Sequence, residues 1–207
     1  FISSYTMDTF VKTDLEKIKE LTNTTIISNA TVEFSKYSDV VYFDPYKLLG
    51  FNTSGVLLSD GLFESQSIGY IDNISVYLIF KALTNQSFIY TLKKKFKENL
   101  EEIFGDDIYY FVDSDSTLDF TLHIALKGIK ARELIRTLSL DEILITNGEG
   151  CSLGLSQPSK IIQAMGYDEE ISRNGISLSF SQEIDDINIE KVCKLFYRRY
   201  RQIKVLT

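Results

Sequence analysis

The sequence contains no tryptophan, one histidine, two cysteines and two prolines among its 207 residues. The two cysteines, Cys151 and Cys193, lie far apart and cannot form the dense disulfide framework of a small secreted domain. With a single histidine, the sequence also lacks the clustered nitrogen and sulfur ligands of a structural zinc site. These scarcities exclude disulfide-stapled and zinc-binding classes, and they suit a reducing cytosol.

No apolar run approaches the roughly 20 residues that a membrane-spanning helix needs, and no secretory signal is visible at the start of the sequence. The net charge is −7, from 29 acidic and 22 basic residues. This balance argues against a nucleic-acid surface, because such a surface needs a dense basic patch. The sequence therefore predicts a cytoplasmic protein that binds neither membrane nor nucleic acid.

The first part of the chain alternates strands with helices. Apolar or β-branched runs predict strands at residues 1–5, 24–28, 39–43 and 54–58, and Asp14 opens an amphipathic helix. The run at 39–43 is apolar throughout, which is typical of a strand buried on both faces. Strands that alternate with helices predict βαβ units and a largely parallel sheet, so the expected fold class is α/β.

The second part of the chain has a different rhythm. A long helical pattern covers residues 71–104, and apolar residues then alternate strictly along residues 118–126. This alternation predicts a strand with one buried face, and it places His123 on the opposite, solvated face. We expect two domains, one at residues 1–85 and a small α/β domain at residues 86–207.

A glycine-bearing loop, GEGCSLGLSQPS, covers residues 148–159, and Ser159 is expected to cap the helix that follows. Cys151 lies in this loop. A nucleophilic thiol that must travel to a cofactor belongs on an exposed loop, whereas a structural cysteine would be buried in a glycine turn. The residues alone leave both interpretations open. Cys193 lies on one apolar helical face and is predicted to belong to the core.

The Cys151 loop resembles the C-terminal region of the cysteine desulfurases, pyridoxal-phosphate (PLP) proteins of fold type I in the class V aminotransferase family. That region carries S-G-S-A-C-T-S-G-x-x-x-P-S and then a helix ending in A-x-G, and residues 147–154, 158–159 and 164–166 match it without a gap. The resemblance implies part of a PLP-dependent transferase large-domain sheet, followed by a small C-terminal α/β domain. It also implies that Cys151 accepts sulfur as a persulfide.

An upstream motif extends the resemblance. The family places its PLP lysine after a buried strand, as D-x-x-x-x-S-x-H-K-x-x-G-P-x-G-x-G, and residues 39–57 read DVVYFDPYKLLGFNTSGVL. In this register Lys47 corresponds to the lysine that carries PLP, and Tyr46 replaces the histidine that contacts the cofactor. The residues alone would make Lys47 an exposed loop lysine.

The chain also departs from the family at several positions. Asn29 stands where the family has the aspartate that pairs with the pyridinium nitrogen, and a neutral side chain there weakens the electron sink. Ser177 stands where the family has the arginine that clamps the substrate carboxylate, so Ser177 is the predicted substrate-binding position. The family's lysine lies near the middle of its chain, so we expect the N-terminal part of the fold to lie outside this sequence.

Two functions follow from the resemblance. The first is enzymatic: PLP bound on Lys47 acts on an amino-acid substrate, with sulfur transfer to Cys151 or related class V aminotransferase chemistry. The second is a fold that has lost its chemistry and serves as a dimerisation or partner-binding module. The resemblance further implies a homodimer and a sulfur-acceptor protein as partners.

Overall fold

A computed structural model describes residues 1–50, 52–62, 72–85, 90–147, 150–152, 155–180 and 184–206. At residues 47, 90, 150–152 and 155–156 the description covers the backbone alone. The chain divides into two compact units. The first unit comprises Phe1–Thr6 and Lys12–Ser87, and the second comprises Met7–Val11 and Phe88–Thr207.

The first unit contains a four-stranded sheet with the order β1-β2-β3-β4. Its strands are β1 (Ile2–Ser3), β2 (Ile27–Asn29), β3 (Val40–Phe43) and β4 (Val56–Ser59). Strands β1, β2 and β3 are parallel, as the alternation predicts, whereas β4 is antiparallel to β3. Val40 and Val41 are both buried, so β3 is covered on its two faces, also as predicted.

Three helices accompany this sheet: α1 (Leu15–Leu21), α2 (Pro45–Leu49) and α3 (Asn73–Thr84). Each begins after an aspartate whose carboxylate accepts a backbone N–H of the first turn, and these aspartates are Asp14, Asp44 and Asp72. Pro45 occupies the first turn of α2, where its missing N–H costs nothing. Gly50 ends α2 in the left-handed conformation, with φ 76°.

Among the described residues, the apolar cluster of the first unit is small. It contains Ala30, Val41, Phe43 and Ile79, with half-buried apolar neighbours. Large apolar side chains remain exposed on α3, where Ile74 is 71% and Phe80 61% exposed. The apolar residues of the helical pattern predicted at residues 71–104 are therefore only partly buried. Exposed apolar groups clustered on one helix are typical of a surface that other polypeptide covers.

The second unit is built around a three-stranded antiparallel sheet with the order β5-β6-β9. Its elements are, in chain order, α4 (Tyr90–Phe104), β5 (Ile108–Tyr109), β6 (Thr121–Leu126), α5 (Ala131–Ser139), β7 (Gly150–Ser152), β8 (Leu155–Gln157), α6 (Lys160–Ala164), α7 (Glu169–Ser172), β9 (Gly175–Ser179) and α8 (Asp186–Leu206). Helices α4, α5 and α8 bury their apolar faces with β6 and β9 in one core. In the described ranges, no helix is both long and apolar enough to cross a bilayer.

Strand β6 is buried on both faces, contrary to the predicted alternation. One face contributes Leu122, Ile124 and Leu126 to the main core. The opposite face contributes Ala125 to a second cluster that contains Phe111 and Ile162. The placement of His123 on a solvated face is therefore wrong, since His123 is 2% exposed. The physical reason is that Phe111, which follows β5, and Ile162 of α6 pack against this face.

The segment around Cys151 is a β-hairpin. Strand β7 pairs with β8 in the antiparallel direction, with Cys151 opposite Ser156. Ser159 caps α6 as predicted, because its hydroxyl accepts the N–H of Ile162 at 3.2 Å. The hairpin therefore leads directly into a helix whose first turn is held by its own cap.

Candidate functional site

The parallel strands of the first unit end at one edge of the sheet. Strands β1, β2 and β3 end at Ser3, Asn29 and Phe43, and parallel strands share the edge at which they end. Open α/β sheets bind ligands in the crevice beyond the carboxyl ends of their strands. The predicted site residues Asn29, Tyr46 and Lys47 lie at or just beyond this edge, so the fold gathers these residues in one region of the first unit.

Hydrogen bonds join the turn after β2 to β3 and to the turn after β3. The backbone N–H of Asp44 donates to Thr31 Oγ1 at 2.7 Å, and the N–H of Ala30 donates to the Tyr42 carbonyl at 2.9 Å. Thr31 is 2% exposed. These bonds fix the start of α2, which carries Lys47, against the turn that follows β2.

The side chain of Asn29 is oriented by its own turn. Its amide oxygen accepts the N–H of Thr31 at 3.0 Å. The side chain is uncharged, so it offers no carboxylate to a protonated ring nitrogen. Tyr46 is 58% exposed on α2, whereas the side chain of Lys47 lies outside the described part of the structure.

Ser4 is a polar residue at this edge that sequence reasoning missed. It follows β1, is 2% exposed, and its hydroxyl has no hydrogen-bond partner among the described residues. An unpaired buried hydroxyl costs about 1–3 kcal/mol, so a ligand or a further residue that pairs with it would be stabilising. The signal that could have found Ser4 is its position directly after the first parallel strand.

In the second unit, the residues that precede the hairpin are tied to β9. The N–H of Ser177 donates to the Thr146 carbonyl at 2.8 Å, and the N–H of Thr146 donates to the Ser177 carbonyl at 3.2 Å. Cys151 follows in β7, but its side chain lies outside the described atoms. The choice between a nucleophilic and a structural Cys151 therefore stays a prediction.

Ser177 forms a buried pair with His123. The Ser177 hydroxyl lies 3.2 Å from His123 Nδ1, and within the described part of the chain His123 Nε2 has no partner. Burial lowers the pKa of His123 from 6.5 to about 4, so the ring is neutral at pH 7. Gly175 leaves room for this ring, since a Cβ atom there would lie 3.1 Å from His123 Cε1. The predicted substrate-binding hydroxyl is thus held beside a neutral ring.

Cys193 belongs to the core of the second unit, as predicted. It is 0% exposed, and burial raises the pKa of its thiol to about 12. A thiol with such a pKa carries almost no thiolate at neutral pH and is a poor nucleophile. Cys151 is therefore the remaining candidate nucleophile of the two cysteines. Over the described ranges, no group of three or more His, Cys, Asp or Glu residues could hold a metal ion.

No family model matches the chain. Among curated proteins, the chain is similar to the cysteine desulfurase IscS of Pseudomonas putida, with 23% identity over 138 residues that cover 65% of this chain and 31% of the relative. The chain spans only 24% to 31% of the length of the first curated relatives that it matches. The resemblance to cysteine desulfurases that the two motifs indicated is confirmed by these relatives.

Solved structures share the fold. A NifS-like protein from Rickettsia africae superposes with a TM-score of 0.72 and 19% identity, over 97% of this chain and 61% of that chain. The cysteine desulfurase CsdA of Escherichia coli superposes with a TM-score of 0.63 and 13% identity, over 97% of this chain and 58% of that chain. The predicted fold class, that of the PLP-dependent transferases, is confirmed.

Proposed function

We propose that this chain, a divergent relative of the cysteine desulfurases, belongs to a protein that binds PLP on Lys47 and moves sulfur from L-cysteine to Cys151. In the net reaction the C–S bond of cysteine breaks, Cys151 gains the sulfur as a persulfide, and alanine leaves with the hydrogen of the Cys151 thiol. The observation that carries the proposal is the placement of Lys47 beyond β3, at the carboxyl edge of the parallel strands.

The carboxyl edge of the first unit fits PLP. The helix α2 starts beyond β3 and carries Lys47, and Ser4 offers a buried hydroxyl without a partner among the described residues. Bound PLP would supply an electron sink for the bonds at the substrate α-carbon. Asn29, at the family's aspartate position, would accompany the ring nitrogen as a neutral amide. We therefore expect PLP beside Asn29 to be a weaker electron sink than PLP beside an aspartate.

Ser177 is the proposed substrate-binding position of the second unit. A serine offers one hydroxyl, whereas an arginine offers a planar fork of donors that matches a carboxylate. The Ser177 hydroxyl already lies beside His123 Nδ1 at 3.2 Å. We therefore expect weak binding of the substrate carboxylate and a high KM for cysteine. An amine that carries no carboxylate, used in related class V aminotransferase chemistry, would lose less from this change.

A second candidate function is a desulfurase fold that acts as a dimerisation or partner-binding module. It is favoured by the neutral residues Asn29 and Ser177, and by the exposed apolar side chains on α3. For both functions we propose a homodimer and a cytoplasmic location. For the active protein we also propose a sulfur-acceptor protein as partner. The two functions differ in whether PLP is bound and cysteine is consumed.

The experiment that tests the proposal is a visible absorption spectrum of the protein from its complete reading frame, before and after borohydride. Binding of PLP gives a visible band, and borohydride fixes a pyridoxyl group on Lys47, which peptide mass spectrometry identifies. Lys47→Ala abolishes the band. The matched control is Lys17→Ala, because Lys17 is exposed on α1 and is expected to leave the band unchanged.

Two outcomes would contradict the enzymatic proposal. A protein that stays colourless with added PLP would favour the partner-binding module. A band that persists in Lys47→Ala would show that PLP is held elsewhere. Alanine release from cysteine by the purified wild type would, in turn, refute the module without chemistry.

A further inference from the structure

The segment Met7–Val11, which we call the strap, belongs to the second unit although its neighbours on both sides belong to the first. Val11 forms a β-bridge with Thr117, and the N–H of Leu118 donates to the Phe10 carbonyl at 3.0 Å. Phe10 has φ 61°, a left-handed conformation that is uncommon for a residue other than glycine. Such a conformation persists only where surrounding contacts hold it, so the strap is fixed on the second unit.

One contact joins the strap to the segment that follows the Cys151 hairpin. The Ser159 hydroxyl donates to the Asp8 carboxylate and accepts the N–H of Ile162 at 3.2 Å. A serine hydroxyl has one proton, so donating it to Asp8 leaves its lone pairs for Ile162. Ser159 is 2% exposed. The Asp8 carboxylate therefore selects the hydroxyl orientation that the cap of α6 requires.

We propose that Asp8 is a positioning residue for the hairpin that carries Cys151 and acts through Ser159. Strand β8 ends at Gln157, and Pro158 and Ser159 directly after it are both buried. The Asp8–Ser159 bond therefore helps to hold the residues directly downstream of the hairpin. A hydrogen bond to a carboxylate is about twice as strong as one between neutral groups. Loss of the carboxylate loosens the end of the hairpin that carries Cys151.

Upstream of the hairpin, a pair of backbone hydrogen bonds between Thr146 and Ser177 ties the chain to β9. The chain is therefore held on both sides of the hairpin. The catalytic meaning of this anchoring rests on the proposed function, because a misplacement of about 1 Å can cost on the order of 100-fold in rate. The anchoring itself is a property of the second unit.

Alkylation of Cys151 by iodoacetamide measures the anchoring without PLP or turnover. Cys193 does not compete, because it is 0% exposed and burial raises the pKa of its thiol to about 12. Peptide mass spectrometry on the full-length protein gives a rate constant for each cysteine. We expect Asp8→Ala to raise the Cys151 rate about threefold or more. Asp8→Asn keeps an uncharged acceptor and gives a smaller rise.

The matched control is Asp168→Ala. Asp168 caps α7 by accepting the N–H of Ile171 at 2.7 Å, and it lies on a different helix from the hairpin anchor. This variant is expected to leave the Cys151 rate unchanged. Equal Cys151 rates in wild type, Asp8→Ala and Asp168→Ala would overturn the proposal. Faster alkylation of Cys193 in Asp8→Ala would mean that this variant loosens the whole unit. The variants Asp8→Asn and Ser159→Ala then test the proposal, and unchanged Cys151 rates in both of them overturn it.

A double variant tests whether Asp8 acts through Ser159. If Asp8 acts through its hydrogen bond to Ser159, Cys151 is alkylated at the same rate in the double variant Asp8→Ala with Ser159→Ala as in Ser159→Ala alone. A double variant whose increase in alkylation rate equals the product of the two single-variant increases would contradict the coupling between Asp8 and Ser159. In turnover, Asp8→Ala lowers kcat and leaves the KM for cysteine unchanged. A wild type that binds no PLP would refute the proposed function and leave the alkylation result intact.

Discussion

The buried ring of His123 makes the stability of the second unit depend on pH. Burial lowers the pKa of His123 from 6.5 to about 4, a difference that corresponds to about 3 kcal/mol. As pH falls, His123 binds a proton in the unfolded chain before it does so in the folded chain. The contribution of about 3 kcal/mol to the free energy of unfolding is therefore fully present above pH 6.5 and is lost as pH falls towards 4. Between pH 7 and pH 5 we expect the free energy of unfolding to fall by about 2 kcal/mol from this residue alone.

The measurement is urea unfolding followed by far-ultraviolet circular dichroism at pH 7, 6 and 5, for the wild type and His123→Asn. Asparagine keeps an amide near the Nδ1 position and does not titrate in this range. His123 is the only histidine, so no other side chain has its ordinary pKa between pH 5 and 7. The carboxylates of Asp107 and Asp141, whose pKa values are lowered by Lys204 and Arg199, contribute equally to both proteins.

The variant is expected to be less stable than the wild type at pH 7, because its smaller side chain leaves a cavity beside Phe111. The gap between the two proteins should narrow by about 2 kcal/mol at pH 5. A wild type and a His123→Asn variant that lose the same free energy between pH 7 and 5 would refute the burial of a neutral ring.

Further predictions concern the core of the second unit, the fit around the His123 ring and the cofactor edge. Leu134→Ala should lower the free energy of unfolding by about 2–5 kcal/mol, because Leu134 is 0% exposed, whereas Leu140→Ala, at an 81% exposed position, should change it little; urea titration checks both. Gly175→Ala should destabilise by about 1–3 kcal/mol, since its Cβ would lie 3.1 Å from the His123 ring, and a thermal melt equal to wild type would contradict this. Asn29→Asp should raise PLP affinity and turnover by supplying a carboxylate for the ring nitrogen, and spectral titration with PLP would show no tightening if Asn29 lies away from the ring.

Local signals in the sequence predicted the local structure well. The caps at Asp14 and Ser159 were expected and are present, because a capping residue acts within its own helical turn. The parallel direction of β1, β2 and β3 followed from the alternation of strands and helices. The antiparallel direction of β4 did not follow, since residue composition carries no signal for strand direction.

Burial created by distant segments could not be read from the sequence. His123 was predicted to lie on a solvated face because it alternates with the leucines and isoleucine of β6. In the structure His123 and its same-face neighbours Thr121 and Ala125 are buried, since the Phe111 and Ile162 cluster covers that face. Periodicity reports which residues share a face, and the number of covered faces depends on tertiary packing.

The candidate site also contains residues that the sequence predicted and contacts that only the structure revealed. Asn29, Tyr46 and Lys47 were assigned by motif, and the parallel strands place them at one edge. The buried hydroxyl of Ser4 was missed, because burial of a small polar residue leaves no periodic signal. The bond between Asp8 and Ser159 was missed as well, because it joins residues 151 positions apart. Motifs assigned the candidate reacting groups, whereas the contacts that support them required the structure.

The two positions at which the resemblance predicts charged residues, 29 and 177, have different structural settings. Asn29 is half-buried, and among the described residues its amide oxygen accepts one local backbone N–H, so an aspartate fits there without other changes. Ser177 is 5% exposed and paired with His123, and an arginine there would place a guanidinium against a ring that burial keeps neutral. An unpaired buried charge is costly, so an arginine at position 177 requires a different residue at position 123 as well. A charged residue at the proposed substrate-binding position 177 therefore requires changes at both Ser177 and His123, whereas at the proposed cofactor-binding position 29 it requires one substitution.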